Sequence, residues 1–192
     1  MDSDDDDRDR RDEQLLVERA RTDADAFAEL YRRHVDAIHG FIYRRCGDRE
    51  LAEDLTAATF ERALARLDRF RWHPSGIAPW LFRIAGNLLT DHHRRQGRRR
   101  GDRARRAADR LHDHVAVDDV DRIDDADQLD ALRGALDRLN PRYERALTLR
   151  HLSGLSHEEA ARAMGVAPSL MAVLVHRATA ALRRELEGGG GR

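Results

Sequence analysis

Residues Pro79–Arg95, PWLFRIAGNLLTDHHRR, decide how the rest of the chain is read. Trp80, Leu81, Ile84, Leu88 and Leu89 recur at helical spacing, while Arg83, Asn87, Thr90 and Arg94 follow one another at i, i+4, i+7 and i+11. One helix with a buried apolar face and a polar, basic face satisfies both series. The arginine forks can meet phosphate oxygens, and the Asn87 amide can both donate and accept at a base edge, which suits nucleic acid better than a small substrate. A plain solvated helix face carries the same residue types, so the flanking sequence has to decide between the two.

Composition sets the class. Of 192 residues, 41% are hydrophobic and 37% charged, β-branched residues are few, and no strand-like alternation lasts beyond a few positions, so an all-α protein is predicted. The length fits one domain or two small ones. Every basic side chain apart from histidine is Arg, which reads as a compositional bias even though Arg also matches phosphates and guanines. The net charge of −1 conceals segregation: eight acidic residues against three Arg from Asp2 to Glu13, eight Arg against two Asp from Asp91 to Arg106, and nine Asp against two Arg from Asp109 to Asp130. A basic block between acidic ones predicts a local polyanion site whose acidic flanks limit nonspecific binding. Cys46 is the sole cysteine, so no disulfide can form within the chain and no cysteine zinc cluster can be built. The beginning is acidic rather than a basic leader, and no apolar run approaches membrane-spanning length. A soluble cytoplasmic protein without membrane insertion is expected.

Taken in order, residues 1–12 are charged enough to predict a disordered acidic N-terminus. Helical periodicity starts near Gln14. Thr22 with Asp25 reads as a cap, followed by a core helix carrying Phe27, Leu30, Tyr31, Ile38, Phe41 and Ile42 until Cys46-Gly47 ends it. Asp48 caps a further helix with an acidic first half. The link DRFRWHPSGIA, residues 68–78, is a loop containing Phe70 and Trp72, aromatics that either anchor it to the core or stack on unpaired bases. Residues 97–127 read as a flexible charged linker. Periodicity returns over residues 128–187, with breaks at Asn140-Pro141 and Ser153-Gly154. A capping box at Ser156 and Glu159, a glycine turn at Gly165 and a helix opening at Pro168 follow. Helix, tight glycine turn and second helix make a helix-turn-helix pattern, and residues 188–192 read as a flexible tail.

With these stretches in place, the chain resembles the extracytoplasmic-function sigma factors of bacterial RNA polymerase. FAELYRRHVDAIHGFIYRR is similar to the start of the family's region 2, LAEDLTAATFERAL to its polymerase-binding segment, and PWLFRIAGNLLTDHHRR to the helix reading the minus-ten element. LNPRYERALTLRHLSGLSHEEAARAMGV resembles the first half of region 4. The resemblance implies two helical domains, a region 2 bundle over 13–96 and a region 4 helix-turn-helix over 128–187. It further implies that Glu53, Asp54 and Leu55 meet core RNA polymerase, and that Arg71, Trp72, Arg83, Asn87, Arg94 and Arg95 hold the minus-ten strand of promoter DNA. Extruding a base costs a few kcal/mol, which stacking and hydrogen bonding must offset. The rival reading is a helix-turn-helix regulator or adaptor that binds duplex DNA without delivering polymerase.

One part departs from the family pattern. Where a recognition helix should carry polar and basic side chains, this chain has Ala172, Val173 and Leu174, leaving Ser169, His176 and Arg177 for the minus-thirty-five element. Weak sequence reading is expected there. The apolar stretch suits a protein contact, such as an anti-sigma factor, an activator or the chain's own first domain, or else contact with thymine methyl groups. His92-His93 and His112-Asp113-His114 lack partners at metal-ligand spacing, so no metal site and no cofactor are expected. No nucleophile motif, phosphate loop or paired catalytic carboxylate emerges, and no enzyme activity is expected.

Overall fold

The computed structural model describes the backbone of residues 2–104, 132, 134–136 and 138–189, with side chains described from 8 to 95 and, beyond the gap, up to 187. Among these residues the structure is helical, without strands. Helices α1 (Asp2–Arg19), α2 (Ala24–Cys46), α3 (Arg49–Leu64) and α4 (Ala78–Ala104) form the first domain; α5 (Pro141–Leu147), α6 (His157–Met164) and α7 (Pro168–Gly189) form the second.

Helix α1 corrects the expectation of disorder over residues 1–12. Its C-terminal half buries Leu16 and Val17 and is followed by buried Ala20, and it packs against α2. Once that turn is nucleated, propagation outward adds one hydrogen bond per residue, and an Asp-rich first turn complements the helix dipole. The cap of α2 is Asp23 rather than Thr22: its Oδ1 accepts from the backbone N–H groups of Asp25 (2.9 Å) and Ala26 (3.3 Å). Gly47, at φ 65°, closes α2 by donating its N–H to the Tyr43 carbonyl, and Asp48 caps α3 through the Leu51 N–H at 3.0 Å.

Helix α4 runs eight residues beyond the expected boundary at 96, as its arginines are good helix formers. The linker therefore starts later than 97, and the Asp-rich stretch, His112 and His114 lie outside the described residues. In the second domain Asn140 caps α5 with Pro141 at its first position, a π-helical turn at Thr148–Leu152 follows, and the expected capping box is formed. In it Ser156 donates its N–H to Glu159 (2.7 Å) and accepts the Glu159 N–H at its hydroxyl (3.2 Å). Gly188 and Gly189 finish α7 instead of beginning the tail; residues 190–192 are outside the described set.

The two domains touch. A single buried cluster runs from Phe41, Ile42, Phe82 and Leu89 in the first domain through Leu149, Leu155, Ala160 and Met171 in the second, with α4 lying against α6. A smaller cluster of Leu139, Leu147 and Ala178 holds α5 to α7. The sequence predicts domains separated by a charged linker, whereas the structure closes one onto the other.

Candidate nucleic-acid and partner surfaces

The α4 stripe forms as its spacing dictates. Leu81, Phe82, Ile84, Ala85, Leu88 and Leu89 are buried, and Phe82 sets its ring edge-on to Phe41 at 5.3 Å. Arg83, Asn87, Thr90, Arg94 and Arg95 are exposed, so the basic face comes out intact. Thr90 donates its hydroxyl to the Gly86 carbonyl (2.8 Å), and Arg94 stands 4.0 Å from Asp91, too far for a strong pair. Arg83 also lies against the second domain, since a Cβ on Gly165 would stand 3.3 Å from its Nη2.

The 71–77 loop leads into α4, and the anchoring role considered for its aromatics is the one the packing shows. Phe70 is buried against Trp80, ring centroids 4.9 Å apart, and anchors the loop; Trp72 is half-buried and Arg71 exposed. The α1 segment holds the loop at both ends. Arg21 donates to the Phe70 carbonyl (3.1 Å), and Glu13 accepts from the Ile77 N–H (3.4 Å) while its other oxygen pairs with His34 (3.1 Å). Glu13 was missed by sequence reasoning, because it reads as the last charge of the acidic run from Asp2.

On α3, Glu53 and Asp54 are exposed, and Glu53 accepts from Arg49 one turn earlier at 3.1 Å. Leu55, expected at the polymerase contact, is only 9% exposed and packs in the core. Consecutive helix residues point about 100° apart, so three in a row cannot share one outward face. On α7, Ser169, His176 and Arg177 are exposed together with Leu170, Ala172 and Val173. Leu174 is buried, one turn on from fully buried Met171, which takes it out of the apolar face expected to be wet.

Charge sits where the domains meet. Arg45 of α2, 8% exposed, pairs through Nη1 with Glu144 of α5 and lies over the Phe41 ring at 5.7 Å. Arg44 donates to the Leu152 carbonyl (3.3 Å). Arg145 donates to the Ala163 carbonyl (3.2 Å); burial first, then repulsion from Arg45, pushes its guanidinium down to about 10. Desolvation, then the positive charges of Arg45 and His92, hold His93 below the ordinary imidazole range. None of these was legible as an interface. The usable signal was Gly86 inside a helix, a residue that marks a close approach. The His92 and His93 rings stand edge to face at 6.1 Å, and among the described residues no group of three His, Cys, Asp or Glu converges as metal ligands would. Nor, among those residues, is any single helix long and apolar enough to cross a membrane.

Residues 30–99 match Sigma-70 region 2 and residues 129–182 match Sigma-70, region 4. The chain is 38% identical to the ECF RNA polymerase sigma factor BldN of Streptomyces coelicolor over 174 residues, covering 89% of this chain but 64% of that protein. It is 35% identical to the ECF sigma factor SigE of Mycolicibacterium smegmatis, spanning 59% of its length, and 34% identical to the RNA polymerase sigma factor CarQ of Myxococcus xanthus, spanning 95%. The solved structure of CnrH in complex with the cytosolic domain of CnrY superposes with a TM-score of 0.68 at 22% identity, over 92% of this chain and 97% of that one, a likeness of fold. The sigma factor RpoE in complex with the anti-sigma factor NepR from Bartonella quintana gives 0.66 at 27% identity, over 84% and 96%. A region 2 bundle followed by a region 4 helix-turn-helix defines the sigma-70 class of transcription factor. Within that class, the chain belongs to the extracytoplasmic-function sigma factors.

Proposed function

We propose that this chain directs core RNA polymerase to specific promoters and assists their melting. The observation that carries the reading is the exposed row Arg83, Asn87, Thr90 and Arg94 on α4, in the same domain as the exposed carboxylates Glu53 and Asp54 on α3. The carboxylates suit a basic clamp on the polymerase, and the row suits phosphates and base edges of an opened strand. The chain makes and breaks no bond in this reading; nucleotide chemistry belongs to the polymerase, and the work takes place in the cytoplasm. An anti-sigma factor is a further partner, since the relative RpoE is known in complex with one. The α7 face reads the minus-thirty-five element weakly, because Leu170, Ala172 and Val173 offer no hydrogen-bonding groups to base edges.

Run-off transcription with core polymerase on a promoter library tests the proposal. Specific transcripts that need the chain and vanish with Asn87→Ala are expected. Duplex binding without any association with core polymerase would overturn it.

A further inference from the structure

Among the described residues, the buried side-chain nitrogens and oxygens without a hydrogen-bond partner belong to the elements that form the seam between the domains. They are Nε of Arg45 at the end of α2, Nε of Arg145 on α5, Oγ of Ser153 in the turn before α6, and Nε2 of His157 and Nε of Arg162 on α6. Nη1 of Arg45 makes no hydrogen bond either, but it has the Glu144 carboxylate as its ion-pair partner. The three Nε groups are donors, and the hydroxyl and the imidazole can both donate. Buried donors of this kind call for acceptors, because a polar group taken out of water without a partner is costly.

Charge points the same way. The Arg45 side chain is 8% exposed and lies over the Phe41 ring, with Glu144 as its counter-charge. Arg145 lies over Gly86 and donates through Nη2 to the Ala163 carbonyl (3.2 Å). Burial first, then the charge of Arg45, holds its guanidinium at about 10, and Arg83 of α4 repels it as well. Glu144 is the carboxylate that acts on both Arg45 and Arg145. One carboxylate thus serves two guanidinium groups at the seam. A glycine inside α4 weakens that helix, and its effect here is to admit the second cation rather than to keep the charges apart.

We infer that the seam is a binding site for a small tetrahedral oxyanion of the phosphate class, held by the Nε–H groups of Arg45 and Arg145 with Arg83 on its solvent side. Arg45 uses Nη1 on Glu144 and Arg145 uses Nη2 on Ala163, which leaves the Nε–H of each for a ligand oxygen. A carboxylate is planar and singly charged, the part Glu144 already plays. A phosphate offers acceptors in several directions and more than one negative charge, so arginines arriving from different helices can each meet an oxygen. Arg83 is exposed and leaves the cluster reachable from solvent. Because Arg45 and Arg83 come from the first domain and Arg145 from the second, the anion binds the closed chain and favours it over the open one. The inference concerns the chain by itself and does not rest on the proposed function.

The test titrates the full chain with inorganic phosphate in a calorimeter at neutral pH, with ionic strength held constant by sodium chloride; one saturable site per chain is expected. Amide exchange along the α4–α6 seam should slow about tenfold when phosphate stands at roughly ten times the measured Kd, and chloride alone should not slow it. Arg145→Lys keeps the charge but removes the planar fork, so it should weaken phosphate binding by about tenfold or more with helix content unchanged. Arg142→Ala, on the exposed side of the same helix, should bind phosphate like the parent. The inference is overturned if phosphate gives no saturable heat, if chloride at equal ionic strength slows exchange as much, or if Arg145→Lys binds phosphate like the parent. It is also overturned if Arg142→Ala weakens binding as much as Arg145→Lys does, or if acetate competes as well as phosphate. A short single-stranded oligonucleotide that displaces phosphate at equal phosphate concentration would assign these arginines to nucleic acid and overturn it too. None of these outcomes bears on association with core polymerase, which the proposed function needs and its own experiment measures.

Discussion

Arg145 of α5 lays its guanidinium over the bare Cα of Gly86 in α4, closer than any side chain there would permit. The same guanidinium donates to the Ala163 carbonyl of α6 (3.2 Å), so one side chain joins α4 to the helix-turn-helix. Promoter elements at minus ten and minus thirty-five lie about 25 base pairs apart, roughly 85 Å along the duplex. Two domains sharing one buried cluster cannot reach both, and a sigma factor using both has to open this contact.

Gly86→Ala tests the brace. The methyl group displaces Arg145 and with it a hydrogen bond from a charged donor, worth about 1.5–3 kcal/mol, while Ala improves the helix by about 1 kcal/mol over Gly. Small-angle scattering of the free chain should show a larger radius of gyration, with a melting temperature changed by only a few degrees. Unchanged dimensions would mean that Arg145 gives way without loosening the contact.

The pair of Arg45 and Glu144 makes a stronger claim. Their side chains are 8% and 16% exposed, and Arg145 adds a second positive charge nearby. Glu144→Gln leaves a buried guanidinium uncompensated, a change that costs about 3–5 kcal/mol when it breaks a buried pair. The cost falls on the domain contact more than on either domain, so amide exchange should speed up along the α4–α6 seam while α2 and α3 stay protected. Replacing both partners, Arg45→Met with Glu144→Leu, should restore protection, because an apolar pair of similar volume does not need the counter-charge.

Acid should loosen the same seam. His93 is held below the ordinary imidazole value, so over the interval between its folded value and about 6.5 the unfolded or opened chain binds the proton and the closed chain does not. Stability from neutral His93 is therefore present above that interval and lost as the pH falls through it. Amide exchange at the seam should accelerate as pH drops from 7.5 to 5.5, and His93→Gln should remove that dependence.

How much of this was legible follows from which residues carry it. The α4 face, the Asp48 cap and the Ser156–Glu159 box came out as read, since each depends on spacing within one helix. Helix α1 did not, because charge density over residues 1–12 outweighed the anchor that Leu16 and Val17 supply only once α2 is beside them. Leu174 was misplaced by reading a run instead of a period: three residues after Met171, it returns to the core. The domain contact was hidden because the shared apolar cluster reads as two separate cores, and the arginines and glutamate beside it are residue types that in sequence alone signify solvent.

Leu55 and its neighbours separate a core role from a surface role most sharply. Glu53 and Asp54 point outward, and the Arg49–Glu53 pair is exposed at both partners, 84% and 59%, so it contributes at most a few tenths of a kcal/mol. Glu53→Lys and Asp54→Lys should leave thermal unfolding nearly unchanged and weaken association with core polymerase by an order of magnitude or more, with the loss shrinking at high salt. Leu55→Ala should do the reverse, costing about 2–4 kcal/mol of folding stability through the cavity it leaves beneath α3. Its binding deficit should track the unfolded fraction alone and disappear when measured well below the melting temperature. A variant at Leu55 that melts like the parent yet loses the polymerase would show that this leucine swings out of the core to meet its partner, and the burial that defines α3 here would then belong only to the unbound chain.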